Sequence, residues 1–190
     1  MPCTNPKKCW HYGSTENGKP KYVFKKPPGK VEEQKVPCGR CVSCQMDRSK
    51  EWVTRAVHEA QMHKSNCFIT LTYSDENLPE NGSLDKNDLR QFIKRLRRKF
   101  RPLAFKYLAA GEYGSAENTF RPHYHLCIFG IDFPDKKYLF TNKQGDAVYT
   151  SKMLLDTWQN KGHVSVGELN YKTAAYTARY TLKKIKTGGS

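Results

Sequence analysis

From residue 66 onward the apolar positions fall into blocks of different period, and each block predicts an element. Residues 66–73, Asn-Cys-Phe-Ile-Thr-Leu-Thr-Tyr, are rich in β-branched, aromatic and aliphatic side chains and stop at Ser-Asp-Glu-Asn-Leu-Pro, as a central strand followed by a loop would. Leu89, Phe92, Ile93, Leu96 and Phe100 then recur at helical spacing, with Asp85 and Asp88 placed to favour the helix N-terminus. Residues 103–110 and 123–129 read as strands joined by the polar segment 111–122, which holds two glycines and a proline and predicts a hairpin. A short helix over 151–159, a strand over 162–167 and a final helix from 171 to about 186 complete the series. Upstream, Trp52, Ala56, Val57, Glu59, Ala60 and His63 recur at helical spacing within 45 to about 64. Residues 1–37, rich in Pro, Gly and Lys, keep no period and predict a loosely folded arm.

From residue 66 the order is β, α, β, β, α, β, α. It predicts an α+β fold, an antiparallel central sheet with helices packed on it, since adjacent strands can pair as hairpins while longer connections carry helices. The expected organisation is a basic, Cys-rich N-terminal arm over 1–50 and one main domain over 51–190. No internal repeat and no GxxxxGK[ST] loop occur, which argues against a nucleoside-triphosphate motor.

Charge narrows the partners. Lysine and arginine number 33 against 18 acidic residues, a net charge of +15, and a polyanion is the expected partner. Aromatics make up 12% of the chain, spread among the basic residues, and no basic amphipathic helix has a large apolar face, so nucleic acid fits better than an anionic membrane. Charge alone leaves a merely solvated basic surface open. No run approaches the roughly 18 apolar residues of a membrane span, and Met1-Pro2-Cys3-Thr4 lacks the features of a secretory signal, so a cytosolic protein is expected. Seven cysteines, an odd number, then favour reduced thiols or metal ligation over a disulfide framework.

His123 and His125 lie two apart in a predicted strand, so their imidazoles share a face while Tyr124 points to the other. The pair could be satisfied core histidines or a metal clamp. The hairpin returns Glu112 to their neighbourhood, and a carboxylate with two imidazoles suits Mn²⁺ or Mg²⁺; the alternative is a solvated turn carboxylate. In the last helix Ala175, Ala178, Leu182 and Ile185 form an apolar seam, with Tyr176, Tyr180 and Lys183 on the other side. A phenol with a pKa of about 10 becomes a useful nucleophile when a metal stabilises charge developing at phosphorus and a lysine assists. Cys38-Gly39-Arg40-Cys41-Val42-Ser43-Cys44 offers three thiols; a structural Zn²⁺ needs a fourth ligand from Cys3, Cys9 or His11. The expected set is Cys9, Cys38, Cys41 and Cys44, and the alternative is three partly buried thiols without metal. Cys67 and Cys127 read as small buried apolar residues. Arg95, Arg97, Arg98 and Lys99, with Arg179 and Lys184 beside the tyrosines, are the expected DNA-backbone contacts.

Several stretches carry a resemblance: Pro37-Cys38-Gly39-Arg40-Cys41, residues 67–73, Gly111-Glu112-Tyr113-Gly114, Arg121-Pro122-His123-Tyr124-His125, and residues 176–184. They resemble the replication initiators of small single-stranded DNA bacteriophages, in particular the gokushovirus branch of the microviruses, within the HUH endonuclease superfamily. The resemblance implies a ferredoxin/RRM-like sheet and a rolling-circle initiator acting in the host bacterial cytoplasm. Such an enzyme nicks single-stranded origin DNA, becomes linked to the 5′ phosphate through tyrosine, leaves a 3′ hydroxyl for the host polymerase, and later rejoins ends without a nucleotide cofactor. It further implies that Glu112, His123 and His125 hold the metal, that Tyr176 and Tyr180 alternate as nucleophile and leaving group, that Lys183 assists, and that a host helicase is a partner. Members run further than Gly188-Gly189-Ser190, so an isolated endonuclease domain is expected. Three competing readings remain: a histidine-triad hydrolase, whose alternating histidines here stop at two; a relaxase or transposase of the same chemistry; and a non-catalytic, zinc-stabilised single-stranded DNA binding protein whose tyrosines only stack on bases.

Overall fold

A computed structural model of the chain describes residues 2–114 and 121–183, the side chains of 81 and 181–183 excepted. The chain divides into two compact units, residues 1–48 and 49–190.

The first unit corrects the expectation of a loosely folded arm. It contains β1 (Lys7–Ser14), β2 (Pro20–Val23) and β3 (Glu33–Val36) in a three-stranded antiparallel sheet ordered β2-β1-β3. These strands escape a periodicity reading because β2 and β3 are four residues long and face almost wholly to solvent, leaving no alternation to detect. Helix α1 (Val42–Gln61) begins in this unit and continues into the second.

The second unit is built on β4 (Asn66–Thr72), flanked by β6 (Pro122–Phe129) on one side and β9 (Val164–Gly167) on the other. With β5 (Lys106–Tyr113), β7 (Lys137–Thr141) and β8 (Ala147–Thr150) they form an antiparallel sheet ordered β5-β6-β4-β9-β8-β7. The α+β class and the central place of residues 66–73 are as expected. The β7–β8 hairpin is not. Every residue of β7 is exposed and those of β8 are half-buried, so neither shows the alternation of a core strand. The strand expected at 103–110 lies three residues later, because Phe105 turns inward while Leu103 stays exposed.

Side-chain alternation sorts the sheet into two faces. Ile69, Leu71, Tyr124, Leu126, Ile128 and Val166 bury one face against α2 (Lys86–Lys99) and α3 (Lys152–Thr157). The predicted stripe carries α2: Phe92, Ile93 and Leu96 are buried, Leu89 and Phe100 half-buried, and Asp85 caps the helix by accepting the Asn87 N–H at 2.7 Å. On the other face, Val53 and Ala56 of α1 and Ala174 and Ala178 of α4 (Tyr171–Lys183) meet Cys127 and Phe129. Val53 and Ala56 turn inward from α1, whereas Trp52 is exposed. Cys67 and Cys127 are buried, as expected of small apolar residues.

Candidate active site

The alternation that buries Tyr124 and Leu126 turns His123 and His125 to the α4 face. Backbone pairing does the rest: β5 and β6 pair in a register that sets Glu112 opposite His123, and β4 sets Thr70 opposite His125. Glu112 Oε2 lies 3.4 Å from His123 Nε2 and 3.2 Å from His125 Nε2. The ligand atoms of the three residues all fall within 4.8 Å of one another.

The hydrogen bonds on the far side of each ring decide what faces inward. His123 Nδ1 lies 2.9 Å from the carbonyl oxygen of Arg121; a carbonyl can only accept, so Nδ1 donates to it and Nε2 is the ring nitrogen turned to Glu112. His125 Nδ1 lies 3.0 Å from Thr70 Oγ1, and its ring stacks on Phe68 at 5.6 Å. Burial, then the neighbouring His123, pulls the His125 pKa down to about 4 against the opposing pull of Glu112, so this imidazole is neutral at pH 7. Its Nε2 is buried and makes no hydrogen bond among the described residues. Two ring nitrogens and a carboxylate oxygen converging at these distances need a proton or a cation between them. Two imidazoles and a carboxylate, each oriented by a second partner, fit a divalent cation with room for further oxygen ligands.

Helix α4 supplies the tyrosines. It starts at Asn170, whose Oδ1 accepts the Thr173 N–H at 3.1 Å while Thr173 Oγ1 accepts the Asn170 N–H at 2.9 Å, a reciprocal cap. The seam that meets the sheet is Ala174, Thr177 and Ala178, all fully buried, one residue out of phase with the expected start at Ala175. Their small side chains let the helix lie close to β5 and β6. The Tyr176 hydroxyl donates to Glu112 Oε2 at 2.8 Å, and its ring meets His125 edge-on at 4.8 Å. Tyr180 packs against Tyr176 at 4.8 Å and against His125 at 6.4 Å. Burial, reinforced by Glu112 and Tyr180, pushes the Tyr176 pKa well above its ordinary value; burial also raises that of Tyr180, while Arg179 pulls it the other way. Both phenols are therefore protonated at rest.

The structure thus brings Glu112, His123, His125, Tyr176 and Tyr180 together, with Arg179 exposed beside Tyr180. The Lys183 side chain and Lys184 lie outside the described residues. Arg97, Arg98 and Lys99 do not join the cluster: α2 covers the opposite face of the sheet. Arg95 is turned inward rather than offered to solvent, its Nε donating to the Thr157 carbonyl at 2.8 Å, and burial lowers its pKa. Two residues near the cluster carry no periodicity signal. Thr70 orients His125. Arg121 pairs with Asp75, donates to the Tyr73 carbonyl at 2.8 Å, and lines a cleft of about 380 Å³ with Thr72, Ser74, His123 and His163. The position of Arg121 two residues before His123 was the available clue.

A second cluster occupies the first unit. Cys3, Cys38, Cys41 and Cys44 place their sulfurs within 4.8 Å of one another. Cys9, expected among them, is instead buried in β1 opposite Gln34.

An antiparallel sheet bearing two imidazoles and a carboxylate, faced by a tyrosine pair on a helix, defines the class of this site. The sequence model of the replication-associated protein ORF2/G2P family matches residues 66–185, and the chain belongs to that family. It is 41% identical to replication-associated protein ORF2 of Spiroplasma virus 4, over 82% of this chain and 50% of that protein. Identity to replication-associated protein VP4 of Bdellovibrio phage phiMH2K is 36%, over 99% of this chain and 60% of the relative. Identity to replication-associated protein ORF4 of Chlamydia phage 1 is 34%, over 80% and 39%. The chain thus spans about half the length of these relatives. No solved structure matches. The resemblance to phage replication proteins is borne out. Among the described residues no helix is long and apolar enough to cross a membrane.

Proposed function

We propose that this chain nicks and rejoins single-stranded DNA at a phage origin during rolling-circle replication in the host bacterial cytoplasm. The observation that carries the reading is the convergence of Glu112, His123 and His125 with a phenol hydrogen-bonded to the same carboxylate oxygen. A core histidine pair would have no use for an exposed tyrosine on Glu112.

Glu112, His123 and His125 would hold Mn²⁺ or Mg²⁺, which would draw negative charge from the scissile phosphate. The phenolic oxygen of one tyrosine attacks phosphorus, an O–P bond forms, and the bond from phosphorus to the 3′ oxygen breaks. The phenol proton is released and the 3′ oxygen takes one up, so the products are a 5′-phosphotyrosine and a 3′ hydroxyl. The 3′ hydroxyl serves a host polymerase, with a host helicase opening the duplex. Rejoining reverses the same exchange. Tyr176 and Tyr180 alternate, so that one can attack while the other is esterified, and Lys183 assists the proton's departure.

The test is a protein-DNA adduct assay on single-stranded origin DNA with Mn²⁺, resolved on a denaturing gel. A metal-dependent adduct is expected, lost in Tyr176→Phe/Tyr180→Phe and strongly reduced in His123→Ala. An adduct that persists under chelation, or survives loss of both phenols, refutes the mechanism; retarded DNA without adduct identifies a binding protein.

A further inference from the structure

The four clustered cysteines of the first unit belong to nothing in the nicking reaction. We propose that Cys3, Cys38, Cys41 and Cys44 form a structural Zn²⁺ site that holds residues 1–48 in their fold. A tetrahedral tetrathiolate with Zn–S bonds of about 2.3 Å has its sulfurs about 3.8 Å apart. The structure has Cys41 Sγ 3.8 Å from Cys3 Sγ and Cys38 Sγ 4.0 Å from Cys44 Sγ. All four are free thiols at the spacing of ligands around one ion.

The surrounding backbone is arranged for thiolates. The N–H groups of Arg40 and Cys41 point to Cys38 Sγ at 3.5 and 3.3 Å, and the Cys38 N–H points to Cys3 Sγ at 3.3 Å. Hydrogen bonds of this kind spread the negative charge of a metal-bound sulfur and fix its direction. The turn that folds Cys38 back over Cys41 passes through Gly39 at φ +72°, where a side chain would be strained. The Cys41 carbonyl then accepts the Gln45 N–H at 3.0 Å, starting α1 with Cys44 in its first turn.

The unit also needs such a tie. Of its described residues only Cys9, Trp10, Ser43 and Cys44 are buried, far too little apolar area to fix three short strands. A zinc joining Cys3 to the Cys38–Cys44 turn closes the segment that contains β1, β2 and β3, and the free energy of metal binding then becomes folding free energy.

The chain is expressed and purified in reductant without chelator, and its zinc is measured by mass spectrometry. One equivalent per chain is expected, retained in His123→Ala/His125→Ala and in Cys9→Ala, and lost in Cys38→Ser/Cys41→Ser together with the protease resistance of residues 1–48. Less than about half an equivalent in the unaltered protein overturns the proposal, as does zinc that stays in the double cysteine variant or leaves with the two histidines. Should the cysteine variant fail to accumulate, Co²⁺ exchange into the unaltered protein decides. Sulfur-to-cobalt charge transfer with strong tetrahedral visible bands supports the site, and their absence refutes it.

Discussion

Thr70→Val separates a metal-orienting hydrogen bond from ordinary packing. Valine keeps the β-branched shape in β4 and removes only the hydroxyl that lies 3.0 Å from His125 Nδ1. Without a cation nothing fixes the proton on Nδ1, and the imidazole can carry it instead on Nε2, which faces Glu112 Oε2 at 3.2 Å, so the metal-free fold should lose no more than about 1 kcal/mol. With a cation on Nε2 the proton must sit on Nδ1. In the variant that N–H is unpaired in a ring only 6% exposed, a cost of about 1–3 kcal/mol. The cost therefore falls on binding, and Mn²⁺ affinity should drop by about 10- to 100-fold, the usual effect of losing such an outer partner. Calorimetric titration with Mn²⁺ reads the affinity, a melt in chelator reads the fold, and Thr70→Ser should restore most of the loss. An affinity within about twofold of the unaltered protein, below the least that the lost partner can cost, would refute the argument; so would a metal-free melt lowered in proportion.

Two further outcomes follow from geometry elsewhere. A Cβ on Gly162 would stand 2.6 Å from the Ser74 nitrogen and against the Thr72 carbonyl, both backbone, so Gly162→Ala should destabilise by about 1–3 kcal/mol, read by urea denaturation. It should also loosen the end of β4 opposite His123. For DNA binding, Arg179→Ala should reduce the salt dependence of single-strand affinity by about 0.7 in the log-log slope. Arg97→Ala, Arg98→Ala and Lys99→Ala on the far face should each leave it nearly unchanged; an equal loss from α2 would show that the strand wraps both faces.

What could be read from the residues alone was whatever a single element encodes. The α2 stripe, the Asp85 cap and the shared face of His123 and His125 are consequences of period, and period is local. Glu112 was legible because one hairpin joins it to His123. Cys3 was legible only as one candidate beside Cys9 and His11: two CxxC spacings fix three thiols, but the fourth arrives through chain closure over more than thirty residues, which spacing does not constrain, and Cys9 was displaced by its inward place in β1. β7 and β8 left no alternation because they bury so little, although the turn in which Asn142 Oδ1 accepts the Gln144 and Asp146 N–H groups was a local clue. Arg97, Arg98 and Lys99 are exposed on α2 while Arg95 turns in to the Thr157 carbonyl, and a helix does not announce which face of the sheet it will cover.

Glu112 Oε2 answers to three neighbours at once: two imidazoles and a phenol. Shortening that side chain by one methylene would withdraw the oxygen from all three by about 1.5 Å, so no change at this position can alter one partnership alone. Positions 112, 123, 125 and 176 are therefore coupled through a single atom. A replacement of the carboxylate must re-fit both imidazoles and the phenol in the same step, so double-mutant cycles among these positions should be strongly non-additive.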